Sequence, residues 1–226
     1  MGRRRSPNNR STPDGGVEGP PGSLAELRDQ VLAVGDKYGY DAEHARQVAA
    51  LSHELFVQLR VVHQLDESWL PILDHAALLH DIGYFVNARK HHRHTASLIL
   101  ADALLDGYPK PWRAVVALVA RNHRKRPRQA PKSLGAQRQR AVARLTAILR
   151  IADALDYNHD AQTRLQRVQI SETRVRVELA GVRLASLRRV LEQKSAYFPE
   201  PFALPVTFTL TTGSGRGQPV GRGGRG

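Results

Sequence analysis

The chain has 226 residues, no cysteine and a formal net charge of +13 at pH 7. Its length suits one domain with a sizeable core, or one domain with a small appendage. The lack of cysteine excludes disulfides, thiolate zinc sites and cysteine nucleophiles, so any bound metal must be held by His, Asp or Glu. No apolar run is long enough to span a membrane and no secretory signal follows the basic start, which predicts a cytoplasmic protein without membrane contacts.

The hydrophobic pattern predicts a mainly α fold in two units. Residues 23–158 are predicted to form a helical bundle domain, and residues 159–211 a small α+β subdomain with a hairpin, a helix and a strand. The flanks, 1–22 and 212–226, are rich in Gly, Pro, Ser and Arg and have almost nothing to bury. We therefore expect both flanks to be disordered tails.

Three of the predicted helices begin at capping residues. Ser23 with Glu26 has the spacing of a capping box, which predicts a helix to about residue 38. Asp41 caps a second helix that runs to about residue 63, and Ser68 opens a third that ends at the pair His80-Asp81.

Two of these helices extend their apolar faces with residues that can bind a metal. His44 lies one turn before the apolar stripe of the second helix and is predicted to face inward, whereas His53 lies half a revolution away and is predicted to be solvated. The pair His80-Asp81 is followed by Gly83, a common residue at helix ends. An imidazole and a carboxylate placed together can bind one cation, although a capping His beside a solvated Asp gives the same dipeptide.

Histidines recur in the next two predicted elements. The segment 89–94 reads Arg-Lys-His-His-Arg-His and precedes a helix. His92 extends an apolar line of that helix and is predicted to face inward; the line consists of Ala96, Ile99 and Ala103. We expect His91 and His94 to lie on the surface. The following helix ends at His123, which either binds a ligand or only caps the helix.

Residues 121–150 contain ten basic residues and no acidic residue, which supplies +10 of the net charge. The window covers a basic loop and most of a helix from about residue 136 to residue 155, and Asp153 extends the apolar face of that helix. Such a concentration of charge indicates an anionic partner. The ten residues are Arg121, Arg124, Lys125, Arg126, Arg128, Lys132, Arg138, Arg140, Arg144 and Arg150.

After Tyr157 the pattern changes from helical to alternating. Residues 166–170 and 174–179 alternate polar and apolar side chains around a short polar turn, which predicts a hairpin. A helix over 185–196 and a strand over 205–210 complete the predicted subdomain.

Four predicted inward residues suggest a shared metal site. Each of them lies at the inward end of an amphipathic helix, and buried charged groups need a partner, for which a divalent cation is efficient. Ligation by His and Asp without Cys is compatible with Mn, Fe, Co or Zn. A set of unrelated core hydrogen bonds is the alternative. The four residues are His44, His80, Asp81 and Asp153.

The order His, His-Asp, Asp resembles the HD-domain superfamily of metal-dependent phosphohydrolases. Four segments, 79–85, 91–94, 122–125 and 148–156, are similar to the C-terminal domain of the exopolyphosphatase/guanosine pentaphosphate phosphatase (Ppx/GppA) family. The likeness covers about residues 23–210. It does not include the N-terminal two-lobed actin-like module that carries the phosphatase chemistry of that family, since only about 22 residues precede the first predicted helix. We therefore do not carry the named activity over, and we expect a stand-alone domain.

The resemblance implies roles for individual residues. His44, His80, Asp81 and Asp153 would bind one metal, while His92 and His123 match positions that bind a second metal in multi-metal members, with Asp81 as the bridge. Asp81, His123 and Arg150 are the predicted catalytic residues, because metal-activated water would attack a phosphoryl group there. Arg150 would hold a phosphate oxygen, and Arg124 and Lys125 would bind the rest of a polyanion.

Two functions from different classes stay open. The first is a metal-dependent phosphohydrolase acting on a phosphorylated nucleotide, an alarmone or polyphosphate, and the complete ligand set favours it. The second is a non-catalytic module that binds polyphosphate, nucleotide or RNA around a structural metal, and the absent module and the basic window favour it. We favour the enzyme. The predicted partner is a phosphorylated small molecule or polyphosphate; a nucleic acid and a homodimer are further, less supported partners.

Overall fold

The computed structural model describes residues 20–181 and 183–211. Apart from residues 20–22, the two predicted tails lie outside this range. Most described residues belong to helices, and the helices in chain order are α1 (Arg28–Lys37), α2 (Ala42–Gln58), α3 (Arg60–His63), α4 (Leu70–Leu79), α5 (His91–Ala101), α6 (Lys110–Arg121), α7 (Gly135–Leu155), α8 (Leu184–Ser195) and α9 (Pro199–Phe202). The strands are β1 (Arg164–Ile170), β2 (Val175–Ala180) and β3 (Val206–Leu210).

The mainly α fold with a small C-terminal α+β part is confirmed. The strands form one sheet in the order β1-β2-β3, with β1 and β2 antiparallel and β2 and β3 parallel. The predicted hairpin is therefore confirmed, and the parallel pair is joined through α8 and α9. None of the helices in the described ranges is long and apolar enough to cross a membrane.

The starts of the first helices differ in part from the capping predictions. Asp41 is confirmed as a cap, because its Oδ1 accepts a hydrogen bond from the His44 N–H at 3.1 Å. The predicted capping box is wrong: the described part of the chain opens with a 3-10 helix, Gly22–Leu27, which already contains Ser23, and no side chain caps it. Ser68 is likewise not the cap of α4; it lies in a 3-10 turn whose cap is Asp66.

The helix α7 runs through the middle of the core. Every residue from Leu145 to Asp156 is buried, because α2, α4 and α6 cover α7 on the bundle side while α8 and α9 pack against it as well. Apolar residues of the sheet and of α8 belong to the same continuous core as those of the bundle. This packing brings the C-terminal end of α8 next to the last turns of α7, where Asp153 lies.

Candidate metal centre

The first group of candidate ligands consists of His44, His80 and Asp153, which come from α2, the end of α4 and α7. One ligand atom from each of the three lies within 4.8 Å of the other two, and all three residues are buried. The Nε2 atoms of His44 and His80 are 3.3 Å apart, and Asp153 Oδ1 is 4.0 Å from His80 Nε2. The structure thus brings together three of the four residues that the helical stripes single out.

The second group consists of Asp81, His91 and His123. One ligand atom from each of these three also lies within 4.8 Å of the other two. Asp81 Oδ1 lies 3.2 Å from His91 Nε2 and 3.4 Å from His123 Nε2. The other oxygen of Asp81, Oδ2, is 3.4 Å from His80 Nε2 of the first group. Asp81 therefore lies between the two groups, with one carboxylate oxygen facing each.

All four imidazoles of the two groups are held through Nδ1. His44 Nδ1 donates to Asp156 Oδ2 at 2.8 Å, and Asp156 is itself buried. The Nδ1 atoms of His80, His91 and His123 face backbone carbonyl oxygens three residues earlier, at 2.7, 3.2 and 2.6 Å. Because a carboxylate and a carbonyl can only accept, Nδ1 of His44, His80 and His123 carries the proton, which leaves each of their Nε2 atoms with a free lone pair. His91 Nδ1 also lies 3.4 Å from Arg124 Nη1, which can only donate, so its partners do not fix its tautomer.

The Nε2 atoms of the four imidazoles face each other in pairs, and a cation is a natural partner for them. His44 and His80 point their Nε2 atoms at one another at 3.3 Å, as His91 and His123 do at 3.1 Å. Two imidazole nitrogens bound about 2.0–2.1 Å from one divalent ion, at octahedral or tetrahedral angles, are separated by roughly 2.9–3.4 Å. Asp81 Oδ1 is also buried without a hydrogen-bond donor among the described residues. The donor set therefore fits one or two divalent metal ions.

Burial keeps site imidazoles in the form that a metal needs. It lowers the pKa of His80 to about 4 and moves the pKa of His123 well below its usual range. Both side chains are consequently neutral at pH 7, and neutral imidazole is the ligand form.

The surface position predicted for His91 is wrong, whereas His92 is buried as predicted. His91 is 1% exposed and belongs to the second group, whereas His92 is buried on the flank of α5 and outside both groups. The buried face of α5 runs at four-residue spacing through His91, Thr95 and Ile99, and His92 lies about 100° further around the helix. Lys90, in a left-handed conformation with φ of 68°, precedes α5 and starts it at His91.

A polar residue explains why that face is difficult to recognise from the sequence. Thr95 is fully buried, donates through Oγ1 to the His80 carbonyl at 2.9 Å and accepts from the Gly83 N–H at 3.0 Å. A Cβ on Gly83 would lie only 2.1 Å from the His91 carbonyl oxygen. The missing side chain of Gly83 thus lets α5 approach the His80-Asp81 turn closely. The sequence instead predicts that Gly83 ends the helix, whereas α4 already ends at Leu79.

Arg150 has a different environment from the one predicted. Its Nη1 donates to the carbonyl oxygens of Asn122, His123 and Lys125 at 2.9–3.1 Å, and its Nε donates to the Lys194 carbonyl at 3.1 Å. Nε and Nη1 of the guanidinium are thus directed to the backbone, while Arg150 also lines the cavity described below. Arg150 therefore positions the end of α6, which precedes His123, against the end of α8.

The candidate site opens into a cavity of about 600 Å³. Asp81, His91, His123 and Asp153 line it together with basic residues of the loop after α6, namely Arg124, Lys125 and Arg126. A second cavity of about 520 Å³ shares Tyr197 and Glu200 with the first. Its basic lining residues are Arg128, Lys132, Arg140 and Arg144. The basic window is thus divided between two neighbouring cavities.

Comparison with known protein families identifies a family model that matches most of the chain. The family model described as Ppx/GppA phosphatase, domain III, matches residues 28–192. The chain belongs to this family. The match includes every residue of both candidate groups and the basic loop.

Curated relatives of this Ppx/GppA domain III chain carry the name guanosine-5'-triphosphate,3'-diphosphate pyrophosphatase. The relative from Aeromonas hydrophila is 33% identical over 119 residues, which is 52% of this chain and 24% of the relative. The relative from Pseudoalteromonas translucida is 31% identical over 96 residues, 39% of this chain and 18% of its own length. The chain thus aligns with about a quarter or less of the length of these relatives.

Several residues around the site have no signal in the sequence. Tyr84 stacks on His91 with ring centroids 4.0 Å apart, and His159 stacks on His44 at 3.7 Å. Lys194 reaches from α8 to form an ion pair with Asp153, and it lies just beyond the range that matches the Ppx/GppA domain III family. These contacts join segments that are distant along the chain. Asp156 is the exception, since its spacing of three residues from Asp153 places both on one side of α7.

Proposed function

We propose that the chain is a phosphohydrolase of the HD type that uses one or two divalent ions of Mn, Fe, Co or Zn. The observation that carries the proposal is the position of Asp81. Its two oxygens each lie within 3.4 Å of an imidazole Nε2 in a different group. A shared carboxylate between two sets of imidazoles is the arrangement that suits two neighbouring cations and a phosphoryl group.

The residues divide between binding the ions and binding the substrate. His44, His80 and Asp153 would hold one ion and His91 and His123 a second, with Asp81 common to both. When bound, such ions supply an activated water as nucleophile and neutralise charge on the phosphoryl group. Asp156 keeps the Nε2 of His44 free by accepting from its Nδ1–H.

The basic loop would bind the rest of the substrate. Arg124, Lys125 and Arg126 line the cavity beside the two groups. Arginine binds phosphate oxygens in a bidentate manner and lysine binds them as a point charge, so these side chains suit a chain of phosphates. Together with the name of the relatives, this supports a phosphorylated nucleotide, an alarmone or polyphosphate as the substrate.

A non-catalytic module is the second candidate. The second basic cavity favours it, because the cavity extends the positive surface beyond the candidate metal centre. Such a module would bind polyphosphate, nucleotide or RNA around a structural metal and would release no product.

A panel of substrates separates the two candidates. Purified protein is loaded with Mn²⁺, and phosphate release is measured from guanosine pentaphosphate, a nucleoside triphosphate and polyphosphate. Asp81→Asn should lower the rate by at least about 100-fold, since it removes the shared charge. The control, His53→Gln, changes an exposed histidine of α2 outside both groups and should leave the rate unchanged. If Mn²⁺ binds and no substrate is hydrolysed, the binding module becomes the better account.

A further inference from the structure

Lys194 brings a side-chain amino group into the candidate site from the C-terminal part of the fold. It belongs to the last turn of α8 and lines the same cavity as Asp81, His91 and His123. The other basic residues that line this cavity come from the loop after α6 and from α7. Only 13% of the Lys194 side chain is exposed, so the ammonium lies inside the cavity wall rather than in open solvent.

The backbone of Lys194 is fixed relative to the candidate ligands. Its carbonyl accepts from Arg150 Nε at 3.1 Å, and Arg150 Nη1 binds the carbonyls of His123 and Lys125. One guanidinium thus ties the end of α8 both to a candidate ligand and to the basic loop. This arrangement favours a defined position for the Lys194 side chain, which a flexible surface lysine does not have.

The ammonium of Lys194 has one protein partner among the described residues. It donates to Asp153 Oδ2, while Asp153 Oδ1 faces His80. An ammonium has three N–H donors, so two are left for a ligand. Arg150, the neighbouring cation, directs its Nε and Nη1 to four backbone carbonyls, which commits three of its five N–H donors to the protein.

We propose that Lys194 binds a phosphate oxygen of the ligand next to the candidate metal centre. The proposal rests on the proposed function, because it assumes that a divalent ion and a phosphate share this cavity. Asp153 and the phosphate would then compete for the same ammonium. A divalent ion at the first group shares the negative charge of Asp153, which weakens its hold on Lys194 and leaves the ammonium to the anion.

The test is phosphate binding by Lys194→Met, which keeps most of the apolar part of the side chain and removes its amino group. Binding of inorganic phosphate is measured by calorimetry in Mn²⁺-loaded and in metal-free protein. We expect phosphate affinity to fall roughly tenfold or more in the loaded protein, the effect of losing one hydrogen bond to a charged group. The loss should be smaller in metal-free protein, where Asp153 holds the ammonium. Lys194→Arg should restore part of the affinity.

Two controls separate binding from structure. Arg189→Met removes one exposed positive charge from the same helix outside the cavity and should leave phosphate affinity unchanged. Mn²⁺ affinity should be unchanged or higher in Lys194→Met, because a cation that competes for Asp153 is gone. Thermal unfolding checks that each variant folds, and Lys194→Gln replaces Lys194→Met if the latter does not.

Each outcome bears on one claim. If loaded Lys194→Met binds Mn²⁺ and phosphate as the unchanged protein does, the role of Lys194 is refuted while the proposed function stands. If phosphate affinity falls only in parallel with Mn²⁺ affinity, Lys194 is merely the counter-ion of Asp153 and the inference is also overturned. If the unchanged protein binds no Mn²⁺, the proposed function fails first, and the inference falls with it.

Discussion

Buried histidines occur in two kinds of environment in this molecule. His63 and His75 are as buried as the site histidines, with 0% and 1% of their surface exposed. Both nitrogens of His63 have protein partners, since Nε2 donates to the Phe56 carbonyl at 2.6 Å and Nδ1 accepts from the Leu65 N–H at 2.9 Å. His75 Nδ1 is paired with the Tyr108 hydroxyl at 2.9 Å. These two histidines stabilise the core by ordinary hydrogen bonds.

The four histidines of the candidate site are only half satisfied. Each has a partner at Nδ1, while its Nε2 faces the Nε2 of another imidazole. His75 and His80 belong to the same stretch of chain, but only His80 points its Nε2 at another imidazole among the described residues. Burial therefore does not distinguish a candidate ligand from a core residue; what distinguishes the four site histidines is that each Nε2 faces another imidazole nitrogen.

The largest expected effect comes from Asp81, which joins the two groups. Asp81→Ala should lower the affinity for Mn²⁺ or Zn²⁺ by at least about 100-fold, because the shared charged ligand is lost. The fold should lose its stabilisation by metal for the same reason. Metal titration by calorimetry and melting temperature with and without chelator measure both effects. A variant that melts with the same metal dependence as the unchanged protein would contradict this role.

A pair of substitutions on one stretch of chain tests the comparison itself. In His80→Ala, a metal concentration about 100 times the dissociation constant of the unchanged protein should no longer give the expected stabilisation of about 2.7 kcal/mol. His75→Ala should lower the free energy of unfolding by about 2–4 kcal/mol, because it leaves a cavity and an unpaired Tyr108 hydroxyl. It should nevertheless keep the full response to metal. Chemical unfolding of both variants, with and without metal, decides the matter; an equal metal response in both would break the distinction.

We expect acid to destabilise the fold through the core histidines, because burial lowers their pKa. Burial lowers the pKa of His75 to about 4, below its ordinary value of 6.5. The unfolded chain therefore binds a proton that the folded chain does not, and stability is lost as the pH falls from about 6.5 to about 4. For His75 this amounts to about 2 kcal/mol between pH 7 and pH 4.5.

Metal-free protein makes that prediction measurable. Unfolding by urea at the two pH values should show a smaller loss of stability in His75→Gln than in the unchanged protein. The other acid-sensitive groups are common to both proteins and cancel in the difference. Equal losses would mean that His75 takes up its proton in the folded state.

The sequence predicts a candidate ligand well where the apolar pattern fixes which face of the helix is buried. His44, His80 and Asp153 extend long apolar stripes, and many residues fix the orientation of such helices. His91 lies at the first position of α5, where the phase depends on the left-handed Lys90 and on a buried polar residue, Thr95. An apolar pattern counts Thr95 as exposed and therefore shifts the predicted face by one residue.

Long-range contacts explain what the sequence cannot predict. Lys194 meets Asp153 only because α8 packs against the end of α7, and the predicted element boundaries contain no information on that packing. Arg150 has the spacing of a phosphate-binding residue, yet its environment is set by the carbonyls at the end of α6. The types of the elements follow from local pattern, whereas the partners of charged residues follow from tertiary structure.

The smallest expected effect comes from the basic side chains of the loop after α6. Arg124, Lys125 and Arg126 line the first cavity, and Arg128 lines the second. Changing Arg124, Lys125, Arg126 and Arg128 to Gln should weaken polyphosphate binding several-fold at moderate salt and flatten its salt dependence. Metal content should stay the same. Changing the exposed Arg167, Arg174, Arg176 and Arg188 removes the same charge elsewhere and should have a smaller effect. Equal effects of both sets would indicate that only net charge matters.

Metal stoichiometry tests the central claim most directly. Protein freed of metal by chelator is titrated with Mn²⁺ and with Zn²⁺, and bound metal per chain is measured by elemental analysis after removal of the excess. The arrangement of Asp81 between two groups of imidazoles predicts up to two ions per chain, lost together in Asp81→Ala and retained in His75→Ala. A chain that binds no metal and keeps its melting temperature on adding either ion would contradict the account.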